Sequence, residues 1–131
     1  RTILLVDDNQ HMLIGVAGLL RDKGFVVIVA STTTDALKAM VEHDFDLVIT
    51  DLVMAIPAGD SREADGREVA RAAKRSSEKT KVIVLSAFSH MSRFADLSKD
   101  GVDYFIDKAD WRDDTIDKIE KVLGSPRMAA E

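Results

Sequence analysis

Five short runs of aliphatic and β-branched residues, separated by segments of helical periodicity, constrain this chain more than any other feature. The runs are Thr2–Val6, Phe25–Val29, Leu47–Thr50, Lys81–Leu85 and a weaker Val102–Ile106. Each is short and nearly continuous in apolarity, the texture of strands buried on both faces of a parallel sheet. Between the first two, Leu13, Val16 and Leu20 recur at three and four residues, and Gly24-Phe25 supplies a left-handed stop with an apolar clasp, so a helix should end near Lys23. Thr32 to Asp35 is an N-terminal capping signal for a second helix, on which Ala36, Leu37, Met40 and Val41 form an apolar stripe. Further helices are expected at about 66–75 and 90–99, and a last one carrying Ile116, Ile119 and Leu123 should stop at Gly124, with Pro126 beyond. Such alternation predicts an α/β fold of three layers, a five-stranded parallel sheet with helices on both faces.

Length and composition exclude several alternatives. A chain of 131 residues makes one domain, here expected over 2–123 with 124–131 as a tail or the start of a linker. The longest apolar run, Met12 to Leu20, is interrupted by two glycines and is far too short to span a bilayer. A net charge of −5 without any basic run argues against direct nucleic-acid binding. Zero cysteines remove thiolate chemistry and disulfides and suit a cytoplasmic setting. The first residue is Arg1 rather than Met, so the chain is treated as a fragment. His11, His43 and His90 lack metal-ligand spacing, and Trp111 is expected to pack the start of the last helix against the sheet.

In an open parallel sheet, ligands settle at the carboxyl ends of the strands. Asp7 and Asp8 follow the first strand, Asp51 the third, Ser86 the fourth, and Asp107 with Lys108 the fifth. One Asp after a strand is usually a cap or turn former. An acid-rich rim on one sheet edge is not explained that way. Carboxylates about 5 Å apart repel by roughly 3 kcal/mol per pair at an effective dielectric near 20, so the set should recruit a cation. Oxygen-only ligands favour Mg²⁺, with Mn²⁺ as the other choice. The metal invites a phosphoryl group, to which Ser86 and Lys108 can donate, and Asp51 is the expected nucleophile.

These residues resemble the receiver domain of two-component response regulators over Thr2 to Leu123. Ile3-Leu4-Leu5-Val6-Asp7-Asp8-Asn9 is similar to the family's acidic first strand end, and Asp46-Leu47-Val48-Ile49-Thr50-Asp51 to its phosphoacceptor strand. Ser86-Ala87 and Lys108 resemble the hydroxyl and lysine that follow strands four and five. The resemblance implies a flavodoxin-like, CheY-like strand order of 2-1-3-4-5. It also implies direct Mg²⁺ binding by Asp8, Asp51 and the backbone carbonyl of Val53, with Asp7 acting through water. The implied partner is a histidine kinase or histidine phosphotransfer protein that passes its phosphoryl group to Asp51. Ser86 and Phe105 are then the switch residues. The implied role is regulatory rather than enzymatic, with a homodimer or output domain docking on the face of helix four, strand five and helix five.

Three departures stand out. Ala109 replaces the usual proline after the lysine, so a trans peptide is expected. The connection Leu52 to Asp65 is longer than usual by about half a dozen residues, ahead of Asp65-Gly66, which resembles the family's pair before helix three. Val53 and Phe88 are apolar where polar groups often steer water, which predicts slow loss of phosphate. Two rivals are an interaction module that is never phosphorylated and an aspartyl-phosphate phosphatase. The second lacks an acid two residues after the nucleophile, where Val53 stands.

Overall fold

A computed structural model describes residues 1–52, 66–86, 98–110 and 115–123. Within them lie β1 (Thr2–Val6), α1 (Gln10–Asp22), β2 (Val26–Ala30), α2 (Thr33–Glu42), β3 (Leu47–Thr50), α3 (Gly66–Ser76), β4 (Lys81–Ser86), β5 (Tyr104–Asp107) and α4 (Thr115–Leu123). The strands form one parallel sheet in the order β2-β1-β3-β4-β5. The three-layered α/β arrangement and the strand order therefore hold as expected.

Strand alternation divides the core into two. Ile3, Leu5, Leu47, Ile49, Ile83, Leu85 and Ile106 point to one side, where Leu13, Val16 and Leu20 of α1 and Ile116, Ile119 and Leu123 of α4 cover them. Their sequence neighbours Leu4, Val6, Val48, Val82 and Val84 point to the other side, against Ala36 of α2 and Val69, Ala70 and Ala73 of α3. Two-sided burial explains the unbroken apolarity of the central strands.

The edges depart from the sequence reading. β2 starts at Val26 rather than Phe25, and as an edge strand it leaves Val26 and Val29 exposed. Its residues 26 and 30 bond toward β1, through Val26 N–H to Arg1 O and Asp7 N–H to Ala30 O, so Val27 turns its polar groups outward. The Arg21 guanidinium donates to that outward Val27 carbonyl at 2.8 Å. β5 starts at Tyr104, two residues later than expected, while Val102 is buried ahead of it. On α2 the buried row is Ala36 with Ala39 and Met40 against it, and Val41 is 87% exposed. The 100° advance per residue carries Val41 about 140° round from Ala36, so the two i, i+4 rows do not share one face.

The helix ends follow the local chemistry of the sequence. Asn9 caps α1 by accepting from His11 and Met12, and Thr32 caps α2 by accepting from Asp35. At the other end of α1, Gly24 has φ +96° and Phe25 N–H returns to Leu20 O, with Phe25 packed on the core. Residues 98–100 form a 3₁₀ turn, and the rest of the helix expected at 90–99 lies outside the described residues. So do His90, Trp111, residues 53–65 of the long connection and the segment 124–131. Described peptide bonds are all trans, including Lys108–Ala109.

Away from the acidic rim, Thr80 ties the start of β4 to the segment before β3, its buried hydroxyl donating to Phe45 O at 2.8 Å. Thr80→Val leaves that carbonyl without its partner. The expected cost is about 1–2 kcal/mol, read as a lower urea midpoint with an unchanged m-value.

Candidate functional site

The order in which strands are added reverses between β1 and β3, because β1 is followed by β2 on one side and then by β3 on the other. Their carboxyl ends form the crevice at which open α/β sheets bind ligands. Backbone bonds from Asp7 N–H to Ala30 O and from Asp51 N–H to Val6 O carry the ladder one residue past each strand, which fixes both acids on the rim.

Asp7 is 3% exposed and Asp51 is 6% exposed, whereas Asp8 faces solvent. Oxygen atoms of these three carboxylates lie within 4.8 Å of one another. Lys108, delivered by the end of β5, bridges two of them: its Nζ is 2.9 Å from Asp7 Oδ2 and 3.1 Å from Asp51 Oδ2. The other Asp7 oxygen accepts from Asn9 N–H at 2.9 Å. Asn9 thus joins the acid to the cap of α1.

Burial raises the Asp7 pKa above its ordinary value and the Asp51 charge adds to the rise, against the opposing pull of the Asn9 N–H and Lys108. For Lys108, burial is the largest single influence and acts downward. The hydrogen bonds to Asp7 and Asp51 and the charges of both acids together outweigh it, so its pKa stands above the ordinary lysine value. Three ionised carboxylates against one ammonium leave an excess of two negative charges. Oxygens sharing one octahedral Mg²⁺ at 2.0–2.1 Å are about 2.9 Å apart when adjacent and about 4.2 Å when opposite, so the carboxylates would draw closer together around such an ion. The donor set fits the group implied by the sequence.

Asp107 does not join the cluster. Its Oδ1 accepts from Ala109 N–H at 2.9 Å and holds the turn that carries Lys108. Ser86 ends β4 opposite Asp107 in the register, and its side chain is not among those described. Val53 and Phe88 lie outside the described residues. Phe105 is half-buried against the core on the α2–α3 side, and Tyr104, on the opposite side of β5, is 40% exposed.

Two residues without an assigned role in the sequence reading shape the site. Thr50 Oγ1 donates to the Asp51 carbonyl at 2.9 Å. Gly66, the first residue of α3, donates its N–H to Leu52 O at 2.7 Å, and a Cβ there would collide with the Asp51 carbonyl oxygen. A glycine opening a helix without acting as its cap was the available signal. The contact it serves spans a long connection and is invisible locally.

With this geometry in place, comparison with known proteins decides the family. A model of the response regulator receiver domain matches residues 3–120. The chain belongs to that family. The receiver is 31% identical over 122 residues to the transcriptional regulatory protein ZraR of Klebsiella oxytoca, covering 92% of this chain and 25% of the relative. The chain therefore spans about a quarter of the length of that relative. Among solved structures it is similar to the response regulator TrrA of Thermotoga maritima, determined in complex with Mg²⁺-BeF, at 30% identity and a TM-score of 0.77, covering 93% of this chain and 98% of that one. A receiver domain from Methanospirillum hungatei shares the fold at a TM-score of 0.83 and 22% identity, over 98% of both chains.

Two predictions follow from this receiver's charge and packing. A carboxyl whose pKa is raised on folding favours the folded state below its unfolded pKa, and that contribution is lost as pH rises through the folded value. Without metal, stability from Asp7 therefore declines as pH rises from the ordinary carboxylate range through its raised pKa. Lys108→Met deepens the decline, and millimolar Mg²⁺ reverses it in both proteins, with tighter Mg²⁺ binding in the variant; urea midpoints at acid and neutral pH with and without Mg²⁺ check this. Gly66→Ala should cost about 1–3 kcal/mol and weaken Mg²⁺ binding, because the start of α3 and the Asp51 backbone must separate. Its urea midpoint and a Mg²⁺ titration read the two effects.

Proposed function

We propose that this receiver is a phosphoacceptor switch in which Asp51 takes a phosphoryl group from a phosphohistidine on a histidine kinase or phosphotransfer protein. The observation that carries this reading is the Lys108 ammonium held between Asp7 and Asp51, 2.9 and 3.1 Å away, at the crevice between β1 and β3. An Asp51 carboxylate oxygen attacks phosphorus as the P–N bond breaks, and the departing imidazole keeps the electron pair and takes a proton. Lys108 compensates charge on the incoming oxygens, and Ser86, at the adjacent strand end, donates to another. Asp8, Asp51 and the Val53 carbonyl would hold Mg²⁺ directly, with Asp7 acting through water. When bound, the ion neutralises the excess negative charge that otherwise repels a phosphoryl donor.

Phosphorylation then draws Ser86 and Lys108 toward the new oxygens and moves Phe105, which changes the face around β5 and the last helix where a second copy or an output domain docks. In this reading the phosphorylated unit is 2–123, with 124–131 a tail or linker, and the setting is cytoplasmic. No helix among the described residues is long and apolar enough to cross a membrane.

Incubation with acetyl phosphate and Mg²⁺, followed by intact-mass and peptide analysis, tests the proposal. One adduct on Asp51, absent from Asp51→Asn and slowed at least about tenfold in Lys108→Ala, is the expected result. Absence of an adduct with both acetyl phosphate and beryllium fluoride makes the domain an unphosphorylated interaction module. Rapid multiple turnover of phosphate esters makes it a phosphatase.

A further inference from the structure

The sequence has no basic run, yet the fold assembles one. α3 carries Arg67, Arg71, Lys74 and Arg75 at helical positions i, i+4, i+7 and i+8, and the turn before β5 adds Lys99. Arg71, Lys74, Arg75 and Lys99 line, with Asp100 and Gly101, an open cleft of about 320 Å³. This concentration of positive charge lies on a chain whose net charge is −5.

Asp100 and Asp103 are already engaged. Asp100 Oδ2 is 2.8 Å from Arg67 Nε, and Asp100 Oδ1 is 3.5 Å from Arg71. Asp103 Oδ2 accepts from Lys74 Nζ and from Val82 N–H, each at 2.9 Å. Among the described residues, Arg75 and Lys99 have no ion-pair partner. The Arg71 side chain is 49% exposed and spends one long contact on Asp100, which leaves most of its guanidinium donors to the cleft. The pairs to Asp100 and Asp103 fasten α3 to the segment before β5, so the backbones that carry the cations are held in position before any ligand arrives.

We propose that this cleft docks an acidic peptide segment of a partner protein, with carboxylates one helical turn apart. Arg71 and Arg75 stand four residues apart, about 6 Å along the axis, which is the spacing at which a helix presents Glu at i and i+4. Among the described residues, the lining offers no aromatic or aliphatic wall to receive a nucleotide base. A nucleic-acid backbone needs a longer unbroken track of cations than this, and Asp100 interrupts it. The recognition is therefore by paired carboxylates against a guanidinium-rich face. It does not depend on phosphorylation of Asp51.

The test uses the whole chain without Mg²⁺ or phosphodonor, so failure here leaves the phosphoacceptor reading standing, and the converse holds. A fluorescein-labelled alanine-based helix bearing Glu pairs at i, i+4 is titrated by anisotropy. Saturable binding is expected, about tenfold weaker at about 0.5 M salt than at about 0.05 M. Arg75→Glu with Lys99→Glu should weaken it about tenfold again, and Arg75→Ala with Lys99→Ala should weaken it in the same direction to a smaller extent. Both sites are exposed, and circular dichroism confirms that the variants fold. A charge-matched control, Lys38→Glu with Lys121→Glu, should stay within about twofold of the parent. Three results would overturn the proposal: no saturable binding, an equal loss in the control, or a DNA oligomer of matched charge that binds as tightly as the peptide.

Discussion

The carboxyl edge of this sheet is organised by the attraction between one half-buried ammonium and two buried carboxylates. Asp7 and Asp51 come from adjacent strands whose backbone pairing leaves them no freedom to separate. Lys108 arrives from the sheet's far edge to lie between them. Removing the ammonium leaves two buried carboxylates without compensation, which is far costlier than losing a surface ion pair. The same crowding that makes the site dependent on Lys108 gives it an excess of negative charge, so it is at once held together and prepared for a cation.

The supporting structure serves this arrangement by local means. Asn9 uses its side chain to cap α1 and its backbone N–H to hold Asp7, so the start of a helix and the orientation of an acid are set by one residue. Asp107 performs the matching service for the turn after β5. Gly66 lets α3 begin directly on the backbone of Asp51. The acids are thereby fixed by the elements that surround them as well as by their own strands.

The readable part of the fold was the part set by two-sided burial and by short-range capping. β1 and β3 coincide with the apolar runs, and α1 ends at Asp22 with Lys23 as its cap ahead of Gly24, because those signals act within a few residues. Val41 was misread because two i, i+4 rows on one helix look alike until the sheet selects between them. The site acids were legible as a pattern across strand ends, although none is informative alone. The packing of Gly66 on Asp51 and the placing of Lys99 and Arg75 on one cleft were not legible, since both join segments that only the tertiary fold brings together.

Arg21 also sets a limit on assembly. The outer margin of β2 would otherwise be a template on which a further strand could grow, flanked as it is by two exposed valines. A guanidinium seated on the Val27 carbonyl blocks that template at its middle, so sideways extension of the sheet has to displace a charged hydrogen bond before it gains a neutral one. Growth of the sheet past β2 is disfavoured in this way.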